Sequence, residues 1–302
     1  MVKKVACEHS IYAFDKNNKP VERVRAGESI TIETYDCFTN QITSEQYDLA
    51  ATLDWEKINP ATGPIFVEDA HPGDILKVTI DELNIGQEGI MVTGNGIGVL
   101  GDQIDAFDIK VCPVEDDQLI FNDSVKIPLN KMIGVIGVAP EGDPVNCGIP
   151  GAHGGNLDTK LITEGATLYF PVFQEGALFA TGDFHAAMGD GEIGGSGMET
   201  PGDVTVTFDV IKEKEIKHPL LQNEHGVSMI ATAETLDEAA KTAVREMITL
   251  LQPHTDLSLA HMTMLMGAVG QTEVSQIVNP QCTARFTVPQ QILDAYHIDL
   301  FK

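Results

Sequence analysis

The segment Gly182-Asp183-Phe184-His185-Ala186-Ala187-Met188-Gly189-Asp190-Gly191-Glu192 sets three carboxylates and an imidazole among glycines and alanines. Such a stretch is a poor core element, because it offers little apolar area and has much backbone entropy to lose. It suits a site in which oxygen and imidazole donors sit on a backbone that a ligand can approach closely. Asp-Gly and Gly-Asp pairs also make ordinary turns. A second polar loop, Pro150-Gly151-Ala152-His153-Gly154-Gly155-Asn156-Leu157-Asp158, weights the balance toward chemistry.

Taken together, His153, Asp158, Asp183 and His185 are a candidate set of metal ligands. Mixed nitrogen and oxygen donors suit zinc or another divalent transition ion, and an all-carboxylate subset suits calcium, which gives calcium a second site. The spacing matches no compact zinc signature such as H-E-x-x-H, so the expectation rests on residue type alone. Plain structural stitching by His153 and Asn156 is the competing explanation. Asp183, Asp190 and Glu192 are candidates for the catalytic carboxylates. Asn156, Asp36 and Glu199 are candidates for substrate contact: Asp36 ends a strand, and Glu199 stands between a glycine run and Pro201. Both could equally be turn or surface residues.

Nucleophilic alternatives are weaker. Gly194-Gly195-Ser196-Gly197 superficially resembles the serine loop of amidase-signature enzymes, but no lysine lies in either polar loop to pair with it. No G-x-S-x-G stands at a strand-to-helix turn. Cys147 near the His153 loop is a second option, although a free cysteine in an apolar stretch usually serves packing. Gly94-Asn95-Gly96-Ile97-Gly98 lacks the βαβ frame of a dinucleotide loop. His71 and Asp74 flank Pro72-Gly73 as turn residues, and His254 and His261 fall in helical sequence as structural residues. Trp55 and the Asn59–Pro64 loop provide packing or one wall of a pocket.

The elements that must position these residues are mostly strands. Ser29 to Tyr35 and Ile75 to Ile80 alternate with period two, as does Val204 to Ile211, and the latter two each follow a Pro-Gly-Asp turn. Pro-Gly-Asp is common enough that an internal repeat is not required. Near the C-terminus the pattern changes to helix. Thr235-Leu236-Asp237-Glu238 is a capping box, with apolar residues at helical spacing to Leu251 and Pro253 as a stop. A second helix is predicted from Ser258 to about Met266. Strands follow at Glu273 to Val278 and Thr283 to Val288, then a short helix from Pro289 to Tyr296. The expected fold class is mainly β, with packed sandwich or barrel-like units and a few C-terminal helices. Residues 1–302 are expected to form one catalytic unit, divisible into two intimately packed β subdomains without a flexible linker.

Composition narrows the partners. The chain has 302 residues, 43% of them hydrophobic, with 45 acidic against 19 basic residues and a net charge of −26. That charge repels nucleic acid and anionic membrane surfaces and favours a neutral small molecule. The five scattered cysteines, with no C-x-x-C pair, read as reduced thiols of a cytoplasmic protein. Lys3 and Lys4 precede no apolar stretch of a targeting segment, and no run of about 18 apolar residues occurs.

Over essentially its whole length the chain resembles the acetamidase/formamidase family. The resemblance is carried by Asn59 to Glu68 with Thr62-Gly63-Pro64, by Ala70-His71-Pro72-Gly73-Asp74, and by the polar segments His153–Asp158 and Gly182–Glu192. Where members commonly read Gly-Asn-Met-Asp, this chain has Gly155-Asn156-Leu157-Asp158, a change that conserves volume. The match is weaker around Ser275-Gln276-Ile277-Val278. The resemblance implies a β-rich fold and hydrolysis of formamide or acetamide to ammonia and the carboxylic acid. Metal-assisted hydrolysis, with Asp190 or Glu192 as general acid/base, is the expected mechanism. A non-catalytic protein binding a cation or a small amide is the alternative. A homodimer is expected on general grounds of enzyme symmetry.

Overall fold

Period-two sequences bury one face and so build a sheet. In the computed structural model, which describes residues 2–301, Ser29–Thr34 turns Ile30, Ile32 and Thr34 inward and leaves the alternate positions half-buried. This strand belongs to a nine-stranded sheet. Its spatial order is Lys3–Val5, Ser29–Thr34, Gly202–Ile211, Ile75–Ile85, Thr167–Pro171, Leu220–Asn223, Gly226–Ala233, Cys282–Pro289, Gln271–Gln276. The two strands associated with Pro-Gly-Asp turns are antiparallel neighbours, with Ile75 opposite Ile211 and Ile85 opposite Gly202.

The second sheet has eleven strands and carries the polar segments. Its main path runs Val125–Pro128, Gln118–Asn122, Asp108–Glu115, Glu88–Thr93, Glu199–Thr200, Phe179–His185, Met132–Gly137, Gly154–Asn156. Ala61–Val67 also pairs with Phe179–His185 and brings in Ser10–Ile11 and Glu22–Val24. Strands of the two sheets interleave along the chain, which passes repeatedly from one sheet to the other. A two-stranded pair, Ala13–Phe14 with Val145–Asn146, stands apart from both.

The core lies between the sheets. Ile30, Ile32, Val78, Ile80 and Phe208 of the first meet Ile65, Ile133, Ile136, Phe179 and Phe184 of the second. Phe179 meets Phe208 edge-on, with ring centroids 5.1 Å apart at 76°. Each such aromatic contributes roughly 1.5–3 kcal/mol by leaving water. This is the packed β architecture expected from the alternating strands.

The helices cover the outer part of the nine-stranded sheet. Thr235 caps Leu236–Leu251 by accepting from the Glu238 N–H at 3.3 Å. Ala243, Met247 and Leu251 then pack with Met229 and Phe286 of the sheet. Pro253 sits in the 3-10 turn that follows. Ser258 accepts from His261 N–H at 3.2 Å, and Leu259–Val269 ends at Gly270. Gln290–Ala295 is the short terminal helix. A helix absent from the sequence expectations, Leu49–Thr52, is held by Asp48 accepting from the Ala51 N–H. Among the described residues, no helix is long and apolar enough to cross a membrane.

Candidate active site

Strand pairing creates the first half of the site. His185 and Glu199 lie directly opposite on neighbouring antiparallel strands, so their side chains share a face. Glu199 Oε1 accepts from the Gly197 N–H at 2.7 Å, which leaves Oε2 facing His185 Nε2 at 3.2 Å. Gly197 has to be glycine, because a Cβ there would strike the His185 ring.

Gly134 makes room for the second half. Its missing side chain lets Asp183 and Asp158 converge: a Cβ would lie 2.5 Å from Asp183 Oδ2 and 2.6 Å from Asp158 Oδ1. His185 Nε2 is 3.4 Å from Asp183 Oδ1 and 3.9 Å from Asp158 Oδ1. Asp158, Asp183 and Glu192 all adopt positive φ, at 40°, 57° and 48°. Left-handed backbone at three non-glycine carboxylates is strain of the sort that functional sites hold in place.

The loop bearing Glu192 is anchored from the other sheet. Gly191 N–H donates to Ser275 O at 2.8 Å, and Ile277 N–H donates to Gly191 O at 3.2 Å. Buried Arg285 grips Asp190 through two bonds of 2.9 Å, and Lys160 adds a contact of 2.8 Å. Asn279, on the turn after Gln271–Gln276, donates to Asp158 Oδ2 at 2.7 Å. The C-terminal hairpin, where the sequence match is weaker, is therefore a supporting wall of the site.

Ligand atoms in the cluster lack partners. Asp158 Oδ1, Asp183 Oδ1, Glu199 Oε2, both ring nitrogens of His185 and Asn156 Oδ1 are buried without a hydrogen bond. Buried polar atoms are normally satisfied, so a group of orphans at one place marks a ligand position. Potential ligand atoms of Asp158, His185 and Glu192 lie within 4.8 Å of one another, as do those of Cys37, Asp183 and Glu199. Orphaned oxygens beside an imidazole nitrogen fit a divalent cation.

Electrostatics follow from burial. Burial and the nearby Asp183 push the Asp158 carboxyl up to about 6. Burial carries the Glu199 carboxyl up to about 8, despite His185 pulling the other way. Glu192 is held well above the carboxylate range by burial and by Asp158. For His185, burial disfavours the charge, but Glu199 and Asp183 outweigh it and keep the imidazole well above its usual value. Among the described residues no lysine or arginine forms an ion pair with these four carboxylates; Lys160 and Arg285 both close on Asp190.

Asp183, Glu192, Glu199 and Asn156 line a cavity of about 410 Å³. Phe38, Trp55, Ile58, Ile97 and Val278 supply apolar wall, so the loop around Trp55 and Asn59 is part of the pocket. Cys37 and Asn279 also line it, and neither was singled out in the sequence as a site residue. The clue to Cys37 was its nearness to Asp36, a weak signal without the fold.

Five residues weighed in the sequence, Asp190, His153 and Asp36 as site residues and Cys147 and Ser196 as nucleophiles, stand apart from this cluster. Asp190 is tied to Arg285 and Lys160 and lines a neighbouring apolar cleft instead; burial is outweighed by those cations, which hold its carboxyl below the usual range. His153 lies edge-on to Phe14 at 5.2 Å, outside both ligand groups. Burial alone lowers it to about 4, with no carboxylate countering the effect. Asp36 is spent on its own turn, accepting from the Phe38 N–H at 2.9 Å and the Asn40 N–H at 2.7 Å. Cys147 is core, packed with Phe14, Ala61 and Val135, and its thiol points to Ile11 O. Ser196 is likewise tied to backbone, through Val92 N–H and Val92 O.

Known proteins share this fold. A protein described as a predicted acetamidase/formamidase from Thermoanaerobacter tengcongensis is 47% identical, superposes with a TM-score of 0.96, and each chain covers 99% of the other. An acetamidase from Bacillus halodurans is 43% identical with a TM-score of 0.95, over 98% of this chain and 100% of that one. The formamidase of Methylophilus methylotrophus is 26% identical over 291 residues, 73% of this chain and 71% of that protein. The model of the Acetamidase/Formamidase family matches residues 14–146 and 144–295. With both polar segments inside those matches, the chain belongs to the acetamidase/formamidase family.

Proposed function

We propose that the protein hydrolyses short linear amides, formamide and acetamide, to ammonia and the carboxylate, assisted by a divalent cation. The observation that carries this is the cluster of orphaned donors, Asp158 Oδ1, Asp183 Oδ1 and His185 Nε2, beside a cavity open to a small molecule. Asp158, Asp183 and His185 would hold the cation, with zinc matching their mixed oxygen and nitrogen donors. A bound cation supplies polarisation of the amide carbonyl and a lowered pKa for water.

The remaining chemistry belongs to the chain. Asn156 Oδ1, unpartnered at the cavity, accepts a hydrogen bond from the amide nitrogen and orients the substrate. Glu192 lies within 4.8 Å of the Asp158 and His185 ligand atoms. Held protonated by burial and Asp158, it delivers its proton to the departing nitrogen and takes one back from the attacking water. Strain at the three carboxylates keeps the groups positioned before substrate arrives.

Ammonia release from formamide and acetamide by wild type and Asp183→Asn tests the proposal. Release by wild type, lost in the variant, is expected. Binding of a cation or an amide with no ammonia from either substrate would favour a non-catalytic binding protein. The acidic charge of −26 and the free cysteines support a soluble, cytoplasmic setting. A homodimer is proposed on the general symmetry of enzymes of this size.

A further inference from the structure

We infer that Cys37 is a thiolate ligand to a second divalent cation, held with Asp183 and Glu199 beside the first, so that the site is a two-cation centre bridged by Asp183. This rests on the metal-assisted reading above and extends it to a residue and a subsite outside the expected ligand set. Ligand atoms of Cys37, Asp183 and Glu199 lie within 4.8 Å of one another, and all three residues line the cavity. Glu199 Oε2 and Asp183 Oδ1 are orphaned and their residues are each 2% exposed. These are unpartnered buried oxygens on two carboxylates that gather around the thiol.

Donor chemistry separates the two subsites. Cys37 with two carboxylates draws a thiophilic ion such as zinc, whereas Asp158 and His185 offer oxygen and nitrogen. His185 Nε2, 3.2 Å from Glu199 Oε2 and 3.4 Å from Asp183 Oδ1, ties them together.

The test is a zinc count on the full chain after dialysis against chelator and reloading, measured by elemental analysis. Two equivalents are expected for wild type and one for Cys37→Ser, with Cys112→Ser, a buried thiol in a separate cluster, keeping both. Cobalt-loaded wild type should also show a near-ultraviolet thiolate-to-metal charge-transfer band, absent in Cys37→Ser. A wild-type cobalt spectrum without that band overturns the inference even if the variant fails to fold. Cys37→Ser retaining both equivalents overturns it too. Two zinc ions with the thiolate band, in a protein releasing no ammonia from formamide or acetamide, would sustain the two-cation centre and sink the amidase proposal instead.

Discussion

At the residue scale, the division of labour among carboxylates follows from what each one touches. Glu192 sits against Asp158 beside the proposed cation ligands, whereas Asp190 is clamped by Arg285 and Lys160. Glu192→Gln should therefore lower kcat by about 10²–10⁴-fold, the usual reach of general acid–base catalysis, with the unfolding midpoint nearly unchanged. Asp190→Asn should do the reverse: it strips a partner from buried Arg285 and costs roughly 1–3 kcal/mol in urea unfolding, while cation uptake persists. Equal losses of kcat in the two variants, with no loss of stability, would contradict the assignment. Gly134→Ala is the sharper structural probe. Its Cβ would fall 2.5 Å from Asp183 Oδ2 and 2.6 Å from Asp158 Oδ1, so bound metal measured by elemental analysis should drop along with activity.

At the element scale, local pattern was a good guide and convergence was not. Thr235 to Leu251 announced its helix because cap, period and stop all act within a few turns, and the structure places Leu236–Leu251 there. Asp183 and His185 drew notice because a glycine-rich polar run is visible locally. Cys37 was hidden, since its meeting with Asp183 and Glu199 depends on an irregular segment folding against the second sheet. His153 stands outside both ligand groups for the complementary reason: its loop neighbours are polar, yet its ring packs edge-on to Phe14 and its Nε2 is buried without a partner. The C-terminal hairpin contributes through single contacts, of which Asn279 to Asp158 Oδ2 is the nearest to the cluster. Asn279→Ala should weaken cation affinity about 10–100-fold, as loss of a hydrogen bond to a ligating carboxylate commonly does, measured by competition with a chromogenic chelator.

At the scale of the whole molecule, two sheets pack their apolar faces together and the eleven-stranded one delivers polar groups to a buried rim. That design has a pH signature. His153 is buried neutral with its folded value lowered to about 4 from 6.5, so the unfolded chain binds the extra proton first. Its contribution to stability is full above the unfolded value and falls as pH drops from about 6.5 toward 4, by about 3 kcal/mol in all. Urea midpoints of wild type and His153→Gln should converge over that window, whereas a constant gap would contradict a buried neutral ring.

The orphaned donors of Asp158, Asp183 and His185 are proposed to hold a cation that the amide reaction requires. The most direct measurement is ammonia release from formamide and acetamide by the purified protein as isolated, after chelation, and after a divalent ion is restored. Turnover, its loss on chelation and its recovery with zinc are expected. Full turnover in protein shown by elemental analysis to be free of divalent metal would contradict the proposal.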